Sequence, residues 1–284
     1  DDLYGGSIRL FTNIYEKNGV EFTYVGTSDL DAVQAAFKPN TKAVYIETPT
    51  NPMMEITDVR ALSKMAHDRN ALVIVDNTFL SPYFQKPLHL GADIVVHSGT
   101  KFIGGHHDVI SGFTIVKDDE LAAQLRLIYK TVGACLSAFD SWLVIRGIKT
   151  LALRMEQHQK NAIALAEWLK QEPKVTKVLF PGLPDHPGYE VNKSQTTGFG
   201  GMLSFEVDSE ETAKQVLEGI QLIQFAESLG GTESLLTYPV TQTHPDLKPE
   251  DAERKGITRR LLRLSVGIED TDDLIADLAQ AFNK

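Results

Sequence analysis

The sequence predicts an α/β protein with a mostly parallel sheet, followed by a smaller α/β domain. Between residues 20 and 116, short runs of β-branched and apolar residues alternate with segments of helical periodicity. Continuous apolar strands of this kind are typical of a parallel sheet whose two faces are covered by helices. Beyond about residue 155 the order of elements changes, so we expect one domain over 1–155 and a second over 156–284.

The elements of the first domain follow from local pattern. Residues 58–70 carry Val59, Leu62, Met65 and Ala66 at helical spacing, and Ser28 or Asp29 is a suitable cap for the helix before them. The expected helices are 29–37, 58–70, 118–130 and 137–171, and the expected strands are 19–25, 42–47, 71–75, 92–96 and 112–116.

The second domain is predicted from fewer and more widely separated patterns. A Pro- and Gly-rich loop follows its first strand, and an amphipathic helix closes the chain. The expected strands are 175–180, 200–207 and 261–266, and the expected helices are 210–219 and 271–282.

Composition narrows the possible partners. The chain has 284 residues and a formal net charge of −10, and no basic stretch is long enough to indicate a nucleic-acid or membrane surface. No apolar run has the length of a membrane span. The one cysteine, Cys135, cannot form an internal disulfide, which fits a reducing compartment and predicts a cytoplasmic protein.

The most informative residue is Lys101, which follows the apolar run 92–97 within Ser98-Gly99-Thr100-Lys101. A lysine at the carboxyl end of a buried strand is partly desolvated, and desolvation favours its neutral, nucleophilic amine. Such an amine can form a Schiff base, while Ser98 and Thr100 can present hydroxyls to a phosphate. Pyridoxal 5'-phosphate (PLP) needs both. The alternative is that Lys101 is a solvated surface lysine and that Ser98 and Thr100 are ordinary turn residues.

A carboxylate ends the preceding apolar run. Asp76 follows residues 71–75, where it can hold a pyridine nitrogen protonated, or can serve as a turn or cap residue. Ligands of parallel sheets bind beyond the carboxyl ends of the strands, and Asn51 also follows such an end, although an asparagine before proline is by default a turn residue.

Three further features have competing interpretations. Arg263 is a cation within an apolar strand, where it forms either an internal salt bridge or a bidentate contact with a substrate carboxylate. Tyr4 is either an ordinary core or surface tyrosine or a cofactor platform. His106, His107 and Asp108 have no further ligands at suitable spacing, so we expect no metal site.

Taken together, these segments resemble the Cys/Met-metabolism family of PLP enzymes, whose motifs they match in order along nearly the whole chain. Each stretch is weak alone, and their joint occurrence is specific. The matching stretches are 2–7, 47–52, 75–79, 98–102, 105–108, 146–151, 227–231 and 263–269.

The resemblance implies a role for each candidate residue. Lys101 would form the Schiff base with PLP and move protons, and Tyr4 would stack on the pyridine ring and assist it. The implied cofactor contacts are Asp76 at the ring nitrogen, Asn51 at the phenolic oxygen, and Ser98 and Thr100 at the phosphate. The implied substrate contacts are Ser228 and Arg263, the latter on the α-carboxylate.

The resemblance also implies an architecture. Family members have the aspartate-aminotransferase-like fold, known as fold type I, with a seven-stranded-type sheet in the large domain. They assemble as dimers of dimers with active sites shared between subunits. They carry roughly a hundred further residues before the segment that matches Asp2–Ser7, with a Gly-Met phosphate loop and a Tyr-x-Arg pair, so we expect the large domain to be incomplete at its N-terminus.

The implied activity is the elimination of a sulfur-bearing group from an amino acid. The segment Thr232–His244 is similar to cystathionine lyases of both β and γ specificity, which favours a cystathionine lyase. A cystathionine γ-synthase, which joins an activated homoserine to cysteine, is the alternative. A methionine γ-lyase is disfavoured because Cys135 lies outside the matching segment. An inactive PLP-binding or structural homologue is the alternative of another class.

Overall fold

The first sheet of the computed structural model has four strands and is mostly parallel, as predicted. The structure describes residues 2–243, 250, 252 and 255–284. The strand order is β1-β2-β3-β4; the first three strands are parallel, and β4 runs antiparallel to β3. Its strands are β1 (Ala43–Glu47), β2 (Leu72–Asp76), β3 (Ile94–Ser98) and β4 (Gly112–Val116).

The strand expected at 19–25 is absent, and the described part of this sheet has four strands, fewer than the seven-stranded type. Residues 20–25 form no ladder with any described strand, and a cavity of about 500 Å³ lies between them and β1. The alternation that predicted the strand places its aromatic residues in a stack instead. Phe22 stacks on Phe11 at 4.7 Å between ring centroids, and Tyr24 stacks on Phe22 at 6.3 Å.

Side-chain caps begin most of the predicted helices. Asp29 accepts hydrogen bonds from the backbone N–H groups of Asp31 and Ala32, and Asp58 and Asp118 each cap a helix in the same way. The short α1 and α4 were not predicted. The helices of this part are α1 (Gly5–Leu10), α2 (Leu30–Ala36), α3 (Val59–His67), α4 (Ser81–Phe84), α5 (Asp119–Val132), α6 (Ala138–Ile148) and α7 (Leu151–Leu169).

The single helix expected over 137–171 is two helices, α6 and α7. Thr150 at the break donates its hydroxyl to the carbonyl of Gly147, and Gly147 packs directly on the carbonyl of Gly104. A side chain at Gly147 would overlap that carbonyl, so the residue permits a close approach between α6 and the loop after β3. The break lies two residues beyond this contact, between Ile148 and Leu151.

The second sheet has five strands in the order β5-β6-β9-β8-β7 and is antiparallel except for the β7–β8 pair. The predicted strands and helices are confirmed, whereas β7, β8 and α8 were missed because they are short and lack periodicity. The elements are β5 (Val175–Leu179), α8 (Tyr189–Gln195), β6 (Met202–Val207), α9 (Glu210–Gly219), β7 (Gln224–Phe225), β8 (Leu235–Thr237), β9 (Leu261–Ser265) and α10 (Thr271–Phe282).

Helix α7 packs against both apolar cores. Its first turns place Leu151 and Met155 among side chains of the Lys101 loop and β9, and its later turns place Leu165 and Leu169 in the core of the second sheet. Ser204 of β6 donates its hydroxyl to the carbonyl of Pro52 at 2.7 Å, which joins the second sheet to the loop after β1. The loop that follows β1 therefore lies against the second sheet.

Within the described residues, no helix is long and apolar enough to cross a membrane.

Candidate active site

Lys101 lies in the tight turn Gly99–Ile103 directly after β3 and has a non-helical backbone there, with φ −93° and ψ −130°. The turn is held from two sides. The buried guanidinium of Arg154 donates to the carbonyl of Phe102 at 2.6 Å and to that of Gly147 at 2.9 Å. Gly230, at φ +80°, approaches so closely that a Cβ would lie 2.7 Å from the backbone nitrogen of Phe102.

The amine of Lys101 faces Ser228. Its Nζ donates to the Ser228 Oγ at 2.8 Å. Ser228 has φ +105°, a conformation that costs energy in a residue with a side chain and that marks functional sites when it is observed. Burial lowers the pKa of Lys101 to about 8, and the positive charge of Arg263 adds to this effect, while Glu227 opposes it. The site therefore favours a neutral, nucleophilic amine.

Asp76 is the last residue of β2 and is the register partner of Glu47 at the end of β1. Its Oδ1 accepts hydrogen bonds from the Thr78 backbone N–H at 3.0 Å and hydroxyl at 2.6 Å, and its Oδ2 accepts one from the Tyr45 hydroxyl at 3.3 Å. Burial raises the pKa of Asp76, although the bonds from Thr78 oppose that rise. The single long bond leaves Oδ2 able to accept a further donor.

Arg263 is 1% exposed and projects from the middle of β9 toward the ends of the first sheet. It donates to Asn51 Oδ1 at 2.8 Å, to the carbonyl of Ser228 at 2.9 Å and to Thr237 Oγ1 at 3.1 Å. Its Nε is buried without a hydrogen-bond partner among the described residues. The alternative of an internal salt bridge is absent from the described part of the chain, because these acceptors are neutral. A buried cation with neutral partners suits an anionic ligand.

The structure therefore brings together Lys101, Ser228, Arg263 and Asn51. Tyr4 lies near the same end of the sheet with its backbone tied to β1, but its side chain is 47% exposed. Ser98 ends β3 and its backbone N–H donates to Thr78 Oγ1 at 2.9 Å. The Thr100 hydroxyl is engaged by the backbone of Ser111, to which it donates at 3.2 Å and from which it accepts at 3.0 Å. A phosphate contact would require Thr100 to release the longer bond.

Sequence reasoning missed the residues that support the predicted ones. Tyr45 and Thr78 hold the carboxylate of Asp76, and Thr237 holds Arg263. Glu47 entered only as a motif member, yet its carboxylate accepts the Tyr4 backbone N–H. The strand register could have indicated Tyr45, because it lies two residues before Glu47 and so on the same face. No local signal indicated Thr237. His244 lies outside the described residues.

The donor set fits PLP. Lys101 offers an amine for the aldehyde, Asp76 offers an acceptor for a pyridinium N–H, and Arg263 offers a cation for a substrate carboxylate. Among the described residues, no group of His, Cys, Asp and Glu side chains could hold a metal ion, and this includes the sequence 106–108. The fold and the constellation together define a PLP-dependent enzyme of fold type I.

The chain belongs to the Cys/Met metabolism PLP-dependent enzyme family, whose model matches residues 1–283. It is 48% identical to the cystathionine beta-lyase MetC of Bacillus subtilis over the whole chain and 73% of that protein. It is 51% identical to a cystathionine gamma-synthase of Haemophilus influenzae over 99% of the chain and 72% of that protein. A crystal structure of cystathionine gamma-lyase from Lactobacillus plantarum with L-serine superposes with a TM-score of 0.97 at 46% identity, covering 99% of this chain and 74% of that one.

The reactivity of the Lys101 amine should rise with pH and reach half its plateau at about pH 8, because the pKa is lowered to that value. Only the deprotonated amine is a nucleophile, so about a tenth of it is reactive at pH 7 and about nine tenths at pH 9. Competitive labelling of the cofactor-free protein with acetic anhydride, followed by mass spectrometry, measures this. The exposed Lys149 serves as an internal reference. Half-maximal reactivity at pH 10.5, the ordinary pKa of a lysine side chain, would contradict the lowered pKa of Lys101.

Proposed function

We propose that this protein is a PLP-dependent cystathionine lyase that cleaves a carbon–sulfur bond of cystathionine. The observation that carries the proposal is the convergence on Ser228. Its Oγ accepts from Lys101 Nζ, and its carbonyl accepts from Arg263 Nη2. Ser228 thereby holds the reactive amine of Lys101 close to the guanidinium of Arg263. An α-amino acid substrate needs this proximity, because its amino and carboxylate groups are attached to the same carbon.

Each candidate residue has a distinct task in this proposal. When bound, PLP supplies an electron sink that stabilises negative charge at the substrate Cα. Lys101 holds the cofactor and moves protons from its Nζ, and Arg263 orients the substrate by its α-carboxylate. Asp76 would hold the ring nitrogen, Asn51 would contact the phenolic oxygen, Tyr4 would pack against the ring, and Ser98 and Thr100 would hold the phosphate.

The lyase assignment is tested by the products formed from cystathionine. β-Cleavage yields pyruvate, homocysteine and ammonia, whereas γ-cleavage yields 2-oxobutyrate, cysteine and ammonia. We expect one or both keto acids, measured by chromatography, with a Lys101→Arg protein as the blank. Neither keto acid, together with cystathionine formed from an acylated homoserine and cysteine, would replace the lyase by a cystathionine γ-synthase. The identity of 51% to a named γ-synthase supports testing that second candidate.

The larger organisation is part of the same proposal. We place the boundary between the domains 1–155 and 156–284 within α7, which contacts both cores.

A homo-oligomer, a dimer of dimers with shared active sites, is supported by the apolar side chains that α5 and α6 leave exposed, among them Leu127, Val132, Trp142 and Ile145. A cytoplasmic location is supported by the free thiol of Cys135.

A further inference from the structure

The backbone N–H of Tyr4 donates its hydrogen bond to an acceptor outside the helix that follows it. Tyr4 lies just before α1 with a non-helical backbone (φ −51°, ψ 127°), and its N–H has no partner within the helix. It donates instead to Glu47 Oε2 at 2.9 Å, across 43 residues of sequence. The Tyr4 ring folds over Gly6, where any Cβ would overlap its Cε1. Glu47 on one side and Gly6 on the other thus determine how Tyr4 enters the site.

Glu47 also stands beside Asp76. The two residues are register partners at the ends of β1 and β2, so their side chains share one face of the sheet with Tyr45. Glu47 is only 6% exposed. Glu47 therefore links Tyr4, which is proposed to stack on the cofactor ring, with Asp76, which is proposed to bind the ring nitrogen.

The surroundings of Glu47 disfavour the negatively charged form of its carboxyl group. Burial and the neighbouring Asp76 raise its pKa well above the ordinary value, and Asp2 from the segment before α1 adds to this. The hydrogen bond from the Tyr4 backbone N–H opposes the rise in pKa, and Arg263 of β9 opposes it more weakly. A neutral carboxyl still accepts a hydrogen bond through its carbonyl oxygen. What the geometry requires for the contact with Tyr4 is an acceptor oxygen at the reach of a glutamate side chain, and an uncharged carboxyl or amide also supplies one.

We infer that Glu47 is a positioning residue that fixes the start of α1, and with it the Tyr4 ring, relative to Asp76. The consequence for cofactor binding rests on the proposed function, whereas the hydrogen bond to Tyr4 does not. Because the role is that of an uncharged acceptor of fixed reach, glutamine should replace Glu47, while aspartate, which is one methylene shorter, should not.

The test compares Glu47→Gln, Glu47→Asp and Glu47→Ala in the full chain. Hydrogen–deuterium exchange of the peptide containing Leu3–Ser7 is measured in the cofactor-free protein, and the PLP dissociation constant is measured by titration. Losing one hydrogen bond should speed exchange of this peptide and weaken PLP binding about five- to tenfold in the Asp and Ala variants. The Gln variant should stay within about twofold of the parent. Glu55→Ala, an exposed carboxylate on the following loop, is the matched control.

The outcomes separate the possible roles. Parent-like exchange in all three variants overturns the inference, and so does a parent-like Asp variant beside a defective Gln variant, because charge would then be the essential property. If Glu47→Ala does not fold, the Gln–Asp comparison still decides. A parent protein that shows the expected exchange pattern but cleaves no cystathionine would refute the proposed function and leave the role of Glu47 intact.

Discussion

Replacing Lys101 by alanine should abolish the visible absorbance of bound PLP and lower kcat by at least about 10³-fold, because one side chain both holds the cofactor and moves the proton. The turn Gly99–Ile103 is fixed by Arg154 and Gly230 rather than by the lysine itself, so the fold should persist. Absorbance scans of the purified protein, steady-state kinetics on cystathionine and thermal unfolding measure the three effects.

Lys101→Arg is the matched control for charge. Arginine keeps a cation in the turn but remains protonated at any accessible pH and is no nucleophile. We expect it to be as inactive as alanine. Lys64→Ala, which removes an exposed lysine paired with Asp68, should behave like the parent. An alanine variant that retains the visible band and normal turnover would show that another amine does the chemistry. A parent protein that never binds PLP would favour the inactive homologue.

Replacing Arg263 by lysine should lower kcat/KM by about 10²-fold, mainly through KM, because a point charge cannot reproduce the planar fork that holds a carboxylate. Burial already lowers the pKa of Arg263 to about 10, so a lysine in the same place would also lose charge more readily. Kinetics on cystathionine measure the loss, and thermal unfolding detects any damage to the contacts with Asn51, Ser228 and Thr237.

A substrate comparison identifies what Arg263 binds. The penalty of Arg263→Lys should largely vanish for the amine analogue that lacks the α-carboxylate, because the contact that the variant weakens is then absent. Arg259→Lys serves as the control, since Arg259 is exposed and pairs with Glu210. An equal penalty with both substrates would assign Arg263 a structural role through Asn51 alone.

Local pattern was sufficient for most elements of the fold. The apolar runs that predict β2, β3 and β9 and the caps that begin α2 and α3 depend on residues adjacent in sequence, and these elements are confirmed. The segment 20–25 has an equally good strand pattern but joins neither described sheet, because a strand also needs a neighbouring strand whose backbone groups are available for a ladder. The break between α6 and α7 was missed because helical periodicity continues across it and the contact of Gly147 with Gly104 beside it is not local in sequence.

The candidate site likewise has residues that the local sequence predicts and contacts that only the folded chain shows. The sequence by itself predicts Lys101 and Asp76 as candidate site residues, because a parallel sheet presents the ends of neighbouring strands at one edge. Tertiary structure alone decided the links across that edge. Arg263 reaches Asn51 over 212 residues, Lys101 reaches Ser228 over 127, and Tyr4 reaches Glu47 over 43. Periodicity and composition describe each segment separately. The contacts of Arg263 and Ser228 exist because the second sheet packs against the strand ends of the first, and the contact of Tyr4 exists because the segment before α1 lies beside the end of β1.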